Sequence, residues 1–193
     1  MYLANSIVIE PRCASLGQPP LLLPVLLHCP ARNPFPQTPD SPPVRLTDPA
    51  LLLMTDFRQT LPLTVSKHRP LDEALADMMR FGVRALFVVH DDLLVGFITS
   101  YDIQGERPLQ FLQQSTFTRH EDIEVGHIMT PWDALPVLEW PTVEAARVCD
   151  LLAVFERNSL TYLVVVETAA DRCERVRGLF SRSHLLRQLG ASS

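Results

Sequence analysis

The sequence repeats itself, and that constrains its folding more than any other feature. Leu53-Met54-Thr55 returns as Ile128-Met129-Thr130, and a similar order of segments follows each copy. After the first come Leu63-Thr64-Val65, Leu71-Asp72-Glu73-Ala74-Leu75, Arg84 to Val89, and Gly96-Phe97-Ile98-Thr99. After the second come Pro141-Thr142-Val143, Val148-Cys149-Asp150-Leu151-Leu152, Thr161 to Val166, and Gly178-Leu179-Phe180-Ser181. Internal self-similarity of this kind means one supersecondary unit used twice.

The unit reads as strand, helix, strand, strand, helix. Leu71, Ala74, Leu75, Met78 and Met79 fall at i, i+3, i+4, i+7 and i+8, the stripe of a helix with one buried face. Pro70 suits its first turn, Asp72 and Glu73 its positive end, and Gly82 its close. Ala85–Val89 and Leu93–Thr99 are β-rich runs separated by His90-Asp91-Asp92, a hairpin turn. The unbroken apolar character of the first run implies burial on both faces. A short helix starts at Ser100, and Pro108 opens a further segment with Leu109 and Leu112 on an apolar stripe. One unit of roughly 60 residues has a marginal core, so the two are expected to pack sheet against sheet. The expected fold class is α+β, with two β-α-β-β-α repeats forming a pseudo-symmetric pair.

Eleven of the 17 prolines lie before residue 50. They remove N–H donors and fix φ, so residues 1–43 are expected to form a flexible Pro-rich tail. The expected organisation is therefore tail 1–43, first repeat 44–117 and second repeat 123–190. Leu21–Leu27 is too short, and interrupted by Pro24, to be a signal peptide or membrane span. A net charge of −5 argues against nucleic-acid and anionic-membrane partners, which call for a surplus of Lys and Arg. The cysteines Cys13, Cys29, Cys149 and Cys173 have neither metal-ligand nor disulfide-framework spacing, which fits a reducing cytoplasm.

Two residues mark a candidate site. Thr99 ends a buried strand and Asp102 stands three residues on, in the first turn of the next helix. A carboxylate can accept from both hydroxyls of a ribose, and a helix start beside a hydroxyl attracts phosphate. Thr-x-x-Asp is equally a capping box, in which the two side chains only satisfy backbone amides. Both readings stand on the sequence, and they are compatible.

Val95-Gly96-Phe97-Ile98-Thr99-Ser100-Tyr101-Asp102-Ile103 resembles the closing strand-to-helix signature of a cystathionine-β-synthase-type (CBS) domain. Gly82 to Val89 resembles the strand before it, and the Met-Thr openings at Met54 and Met129 also fit. The resemblance spans about residues 47–190 and implies a tandem CBS pair, a regulatory and non-catalytic module. It implies an adenine nucleotide or related ligand (AMP, ATP or S-adenosylmethionine) in the cleft between the repeats, no required cofactor, and a homodimer. By the same resemblance, Thr99 and Asp102 would hold sugar and phosphate, and backbone near Thr64, Val65, Val83, Arg84 and Ala85 would line an adenine slot.

The second repeat departs from this pattern: Ser181 keeps the hydroxyl, but His184 stands where Asp is expected. Neutral imidazole cannot accept two hydrogen bonds. Arg172, Arg175, Arg177, Arg182 and Arg187 surround it, either a phosphate-binding patch or a solvated basic face. The alternative to ligand sensing is a dimerisation or protein-interaction scaffold with an unidentified protein partner. Catalysis ranks last, because the chain has no G-x-S-x-G, H-E-x-x-H, P-loop or G-x-G-x-x-G.

Overall fold

A computed structural model describes residues 44–115, 119–168 and 174–190, so the expected tail 1–43 lies outside the described residues. A 3₁₀ turn at Ala50–Leu53 leads into β1 (Thr55–Asp56). There follow β2 (Thr64–Ser66), α1 (Leu71–Phe81), β3 (Ala85–His90), β4 (Leu93–Thr99), α2 (Ser100–Gln104), α3 (Arg107–Gln114), α4 (Val125–Ile128) and β5 (Thr130–Pro131). The chain continues with β6 (Val137–Glu139), α5 (Trp140–Ala145), α6 (Val148–Asn158), β7 (Tyr162–Thr168), β8 (Glu174–Ser181) and α7 (Arg182–Gly190). The class is α+β, with two four-stranded sheets ordered β2-β3-β4-β5 and β1-β8-β7-β6.

Each sheet follows one plan. β2 runs parallel to β3, and β3 pairs antiparallel with β4, with a register shift between Val88 and Val89. β6, β7 and β8 repeat this arrangement, with the shift between Val165 and Val166. The fourth strand of each sheet comes from a distant part of the chain. β5 pairs with β4 through Gly96↔Pro131 and Phe97↔Thr130, and β1 pairs with β8 through Thr55↔Leu179 and Asp56↔Gly178.

Compact units therefore divide the chain differently from the sequence repeats. Residues 44–60 fold with 136–190, and 61–135 form the other unit. The first has a core that includes Ala50, Leu53, Leu138, Val148, Leu151, Phe155, Leu163, Val165, Phe180 and Leu185. The second buries Val65, Leu71, Ala74, Met78, Leu86, Val88, Ile98, Ile103, Ile123, Val125 and Ile128. Backbone hydrogen bonds stitch each incoming segment down: Leu71 N to Ile123 O (3.0 Å) and Val125 N to Arg69 O (2.8 Å) in one unit, Ala50 N to Ala146 O and Val148 N to Asp48 O (both 3.0 Å) in the other.

The two Met-Thr motifs now have a physical meaning. A Cβ placed on Gly96 would lie 2.7 Å from Thr130 O and 2.8 Å from Met129 Sδ. On Gly178 it would lie 2.7 Å from both Thr55 O and Met54 Sδ. Each glycine lets a Met-Thr backbone press against the middle of a sheet strand, which no residue with a side chain would allow.

The sequence reading needs three corrections. Pro141-Thr142-Val143 does not match Leu63-Thr64-Val65: it lies in α5, opened by its proline, and the strand equivalent to β2 is Val137–Glu139. Met79 is 75% exposed, so the buried stripe of α1 runs through Leu71, Ala74 and Met78. Leu109 of α3 is also exposed, while its neighbour Pro108 is buried. Gly82 does close α1 in the left-handed conformation, at φ 67°. Ser159 holds the same place after α6 at φ 51°, a conformation that costs a residue bearing Cβ roughly 1 kcal/mol.

Gly96→Ala and Gly178→Ala should each destabilise the fold by roughly 1–3 kcal/mol through overpacking against backbone, read as a lowered midpoint in urea unfolding. Gly190→Ala, which has nothing within 4 Å of the new methyl, should leave the midpoint unchanged.

Candidate functional site

The end of β4 brings together most of the positions expected to bind a ligand. Thr99 is buried and paired across the sheet with Ala85. Ser100 N donates to Arg84 O at 2.9 Å, which places the Val83–Ala85 backbone against the start of α2. Val83 is buried, and Arg84 is exposed, with Nη1 donating to Tyr101 Oη at 3.2 Å. Thr64 and Val65 lie one strand away on β2, opposite Phe87 and Val88; Thr64 is half-buried and Val65 belongs to the core.

Thr99 and Asp102 form a complete capping box. Asp102 N donates to Thr99 Oγ1 at 3.2 Å, and Thr99 N donates to Asp102 Oδ2 at 2.9 Å. Thr99 Oγ1 also donates to Oδ2, at 2.6 Å. The Thr99, Ser100 and Asp102 amides are thus occupied, and α2 is only five residues long. The other carboxylate oxygen has a partner absent from the sequence reading: Arg107 Nη1 lies 2.9 Å from Asp102 Oδ1. The same nitrogen donates to Ile128 O at 3.1 Å and Thr130 Oγ1 at 3.2 Å. Arg107 opens α3, five positions beyond Asp102, and only the break between α2 and α3 turns it back on the carboxylate. No periodic pattern in the sequence signals that turn.

The equivalent place in the second repeat is built differently. Ser181 Oγ lies 2.9 Å from Ser183 Oγ, and His184 sits half-buried in the first turn of α7. Burial, and secondarily the charge of Arg187, lower the pKa of His184 below its ordinary value. The basic cluster is not uniformly available. Arg177 is buried on β8, its guanidinium 4.3 Å over the Trp140 ring, ion-paired with Asp56 and 3.6 Å from Glu167. Glu167 also accepts two hydrogen bonds from Arg58 Nη2, at 2.8 and 2.9 Å. Asp56 and Arg58 belong to the segment containing β1, so this network fastens that segment to β7 and β8. Arg177 is structural, and Arg172 lies outside the described residues.

Among the described residues, no group of three His, Cys, Asp or Glu side chains is arranged to hold a metal, and no helix is long and apolar enough to cross a membrane.

Residues 54–107, from Met54 through β4 and the capping box to Arg107, match the family model described as CBS domain. Among solved structures, the chain is similar to CBSX2 in complex with AMP, at 25% identity and a TM-score of 0.50, covering 76% of this chain and 99% of that one. The chain has the fold of a CBS pair, and residues 54–107 match a CBS domain. An uncharacterised conserved protein from Pyrococcus horikoshii shares this fold at 23% identity and a TM-score of 0.51, over 75% of this chain and 93% of that one. So does the CBS domain pair of the protein MJ0100, in complex with 5′-methylthioadenosine and S-adenosyl-L-methionine, at 21% identity and a TM-score of 0.50, over 77% and 100%. No curated protein sequence matches the chain. The matched segment ends at Arg107; the second repeat, with its extra helix α5 and His184, lies beyond it.

Arg177→Met should lower stability by roughly 2–3 kcal/mol, because it leaves the partly buried Asp56 carboxylate without its charge partner; chemical denaturation measures this. The depressed pKa of His184 also carries a pH signature. Its neutral form is favoured in the folded state, so the unfolded chain takes up the proton first as pH falls. Stability should drop below the ordinary imidazole pKa of about 6.5, and the drop should end below the folded pKa. His184→Gln should flatten that part of the stability–pH profile, read as melting temperature between pH 7.5 and 5.

Proposed function

We propose that this CBS pair is a ligand-responsive regulatory module that binds an adenine nucleotide at the end of β4, with Asp102 receiving the ribose hydroxyls. The observation that carries this reading is the convergence of Thr99, Asp102 and the Val83–Ala85 backbone within the repeat that matches the CBS family. AMP stands ahead of ATP and S-adenosylmethionine because the similar CBSX2 structure is a complex with AMP. Thr64 and Val65 on β2 would border the base. Ser181 and His184 would make at most a weaker second site, since imidazole lacks the double acceptor. The module regulates through differential affinity of ligand for two arrangements of the protein, and no covalent step is assigned to it. Exposed Tyr101 and Leu109, on α2 and α3, offer apolar surface for a homodimer.

A ligand-free interaction scaffold is the second reading, favoured by the fact that cap and Arg107 already occupy the Asp102 carboxylate. Calorimetry with AMP separates the two. The first reading expects binding by the wild type and at least about tenfold weaker binding by Asp102→Ala, the loss of a charged hydrogen-bond acceptor. Absence of heat with AMP, ATP and S-adenosylmethionine alike would leave the scaffold. Native mass spectrometry of the same sample gives the subunit count.

A further inference from the structure

We propose that Arg107 is a displaceable latch on Asp102, which a ligand diol must release in order to bind; this rests on the reading of Asp102 as the ribose acceptor. Two counts point to the same bond. A carboxylate offers about four lone-pair sites. On Asp102 both Oδ2 sites are in use, by Thr99 N and Thr99 Oγ1, and Arg107 Nη1 covers Oδ1 as an ion pair at 2.9 Å. Two ribose hydroxyls need both sites of Oδ1, so one existing partner of the carboxylate must leave. The cap contacts are local, fixed by the turn from β4 into α2, and Thr99 is buried. The Arg107 side chain is 49% exposed and reaches Oδ1 from a separate helix, so it is the partner free to move.

The second count is made on the guanidinium. Nη1 carries two hydrogens but faces three oxygens, Asp102 Oδ1, Ile128 O and Thr130 Oγ1. The two hydrogens go to Ile128 O and Thr130 Oγ1, one each, and Asp102 is held by charge. Giving up Asp102 therefore strands no donor. Ile128 and Thr130 flank Met129, which presses on Gly96 of β4. Arg107 acts as a positioning and gating residue, setting how much the diol contributes to affinity.

The experiment measures AMP and 2′,3′-dideoxy-AMP binding by calorimetry on the full chain, for wild type, Arg107→Ala, Arg107→Met and Arg107→Lys. Taking the ratio of the two affinities isolates the diol and cancels any attraction of Arg107 for phosphate. With the latch removed, the ratio should rise about threefold in Arg107→Ala and Arg107→Met, while Arg107→Lys stays near wild type; exposed ion pairs have this strength. Arg107→Met keeps the packing of the stem, so a folding failure of Arg107→Ala does not end the test. An unchanged or smaller ratio in a folded variant overturns the latch and leaves AMP binding standing. If AMP fails to bind the wild type and the variants alike, the nucleotide reading falls, and the latch with it.

Discussion

Both sheets depend on one steric condition: a Met-Thr backbone must reach contact distance with a glycine in the middle of another strand. At Gly96 and Gly178 a carbonyl oxygen lies 2.7 Å from where a Cβ would stand, and it cannot move aside as a flexible side chain can. Around each contact the incoming segment adds a short strand, hydrogen-bonds to the turn before a helix, and supplies apolar residues to a core. The Met-Thr motif reads in sequence as the opening of a repeat. In the folded protein Met54-Thr55 completes the sheet of the second repeat, and Met129-Thr130 that of the first.

The same scaffold sets the chemistry at the two strand ends. In the first repeat β4 ends in Thr99, and the carboxylate of Asp102 is shared between a local cap and an arginine. In the second, β8 ends in Ser181, and a half-buried imidazole of lowered pKa takes the place of the carboxylate. Like backbones thus carry one acidic and one neutral head, while the buried Arg177, stacked on Trp140, serves to hold β1 in place. Positive charge counted along the sequence is a poor guide here, because burial diverts one of its members into structure.

Much of this was legible in the sequence for identifiable reasons. The stripe of α1, its glycine close, the hairpin at Asp91-Asp92 and the paired glycine-containing strands all follow from local periodicity and turn chemistry, and all are present. The cap at Thr99 and Asp102 is local as well, three residues apart. What could not be read depends on contacts across sequence distance: the segments that complete each sheet, the Arg107–Asp102 pair, and the Asp56–Arg177–Glu167 network. The misplaced strand in the second repeat has a local cause. Pro-Thr-Val matched the expected residue types, but Trp140-Pro141 opens a helix, and the less conspicuous Val137-Leu138 forms the strand.

The pairing of β1 with β8 also sets an order of events at the ribosome. Asp56 and its partner Arg177 are 121 residues apart, so at about ten residues per second the strand emerges some ten seconds before its sheet exists. Ala50, Leu53 and their neighbours have no core to enter during that interval, whereas residues 61–135 can complete their own sheet as soon as β5 is made. The earliest of these strands to be synthesised is thus among the last to be housed. A nascent chain halted between β5 and β8 would hold one finished unit and one apolar segment still awaiting its sheet.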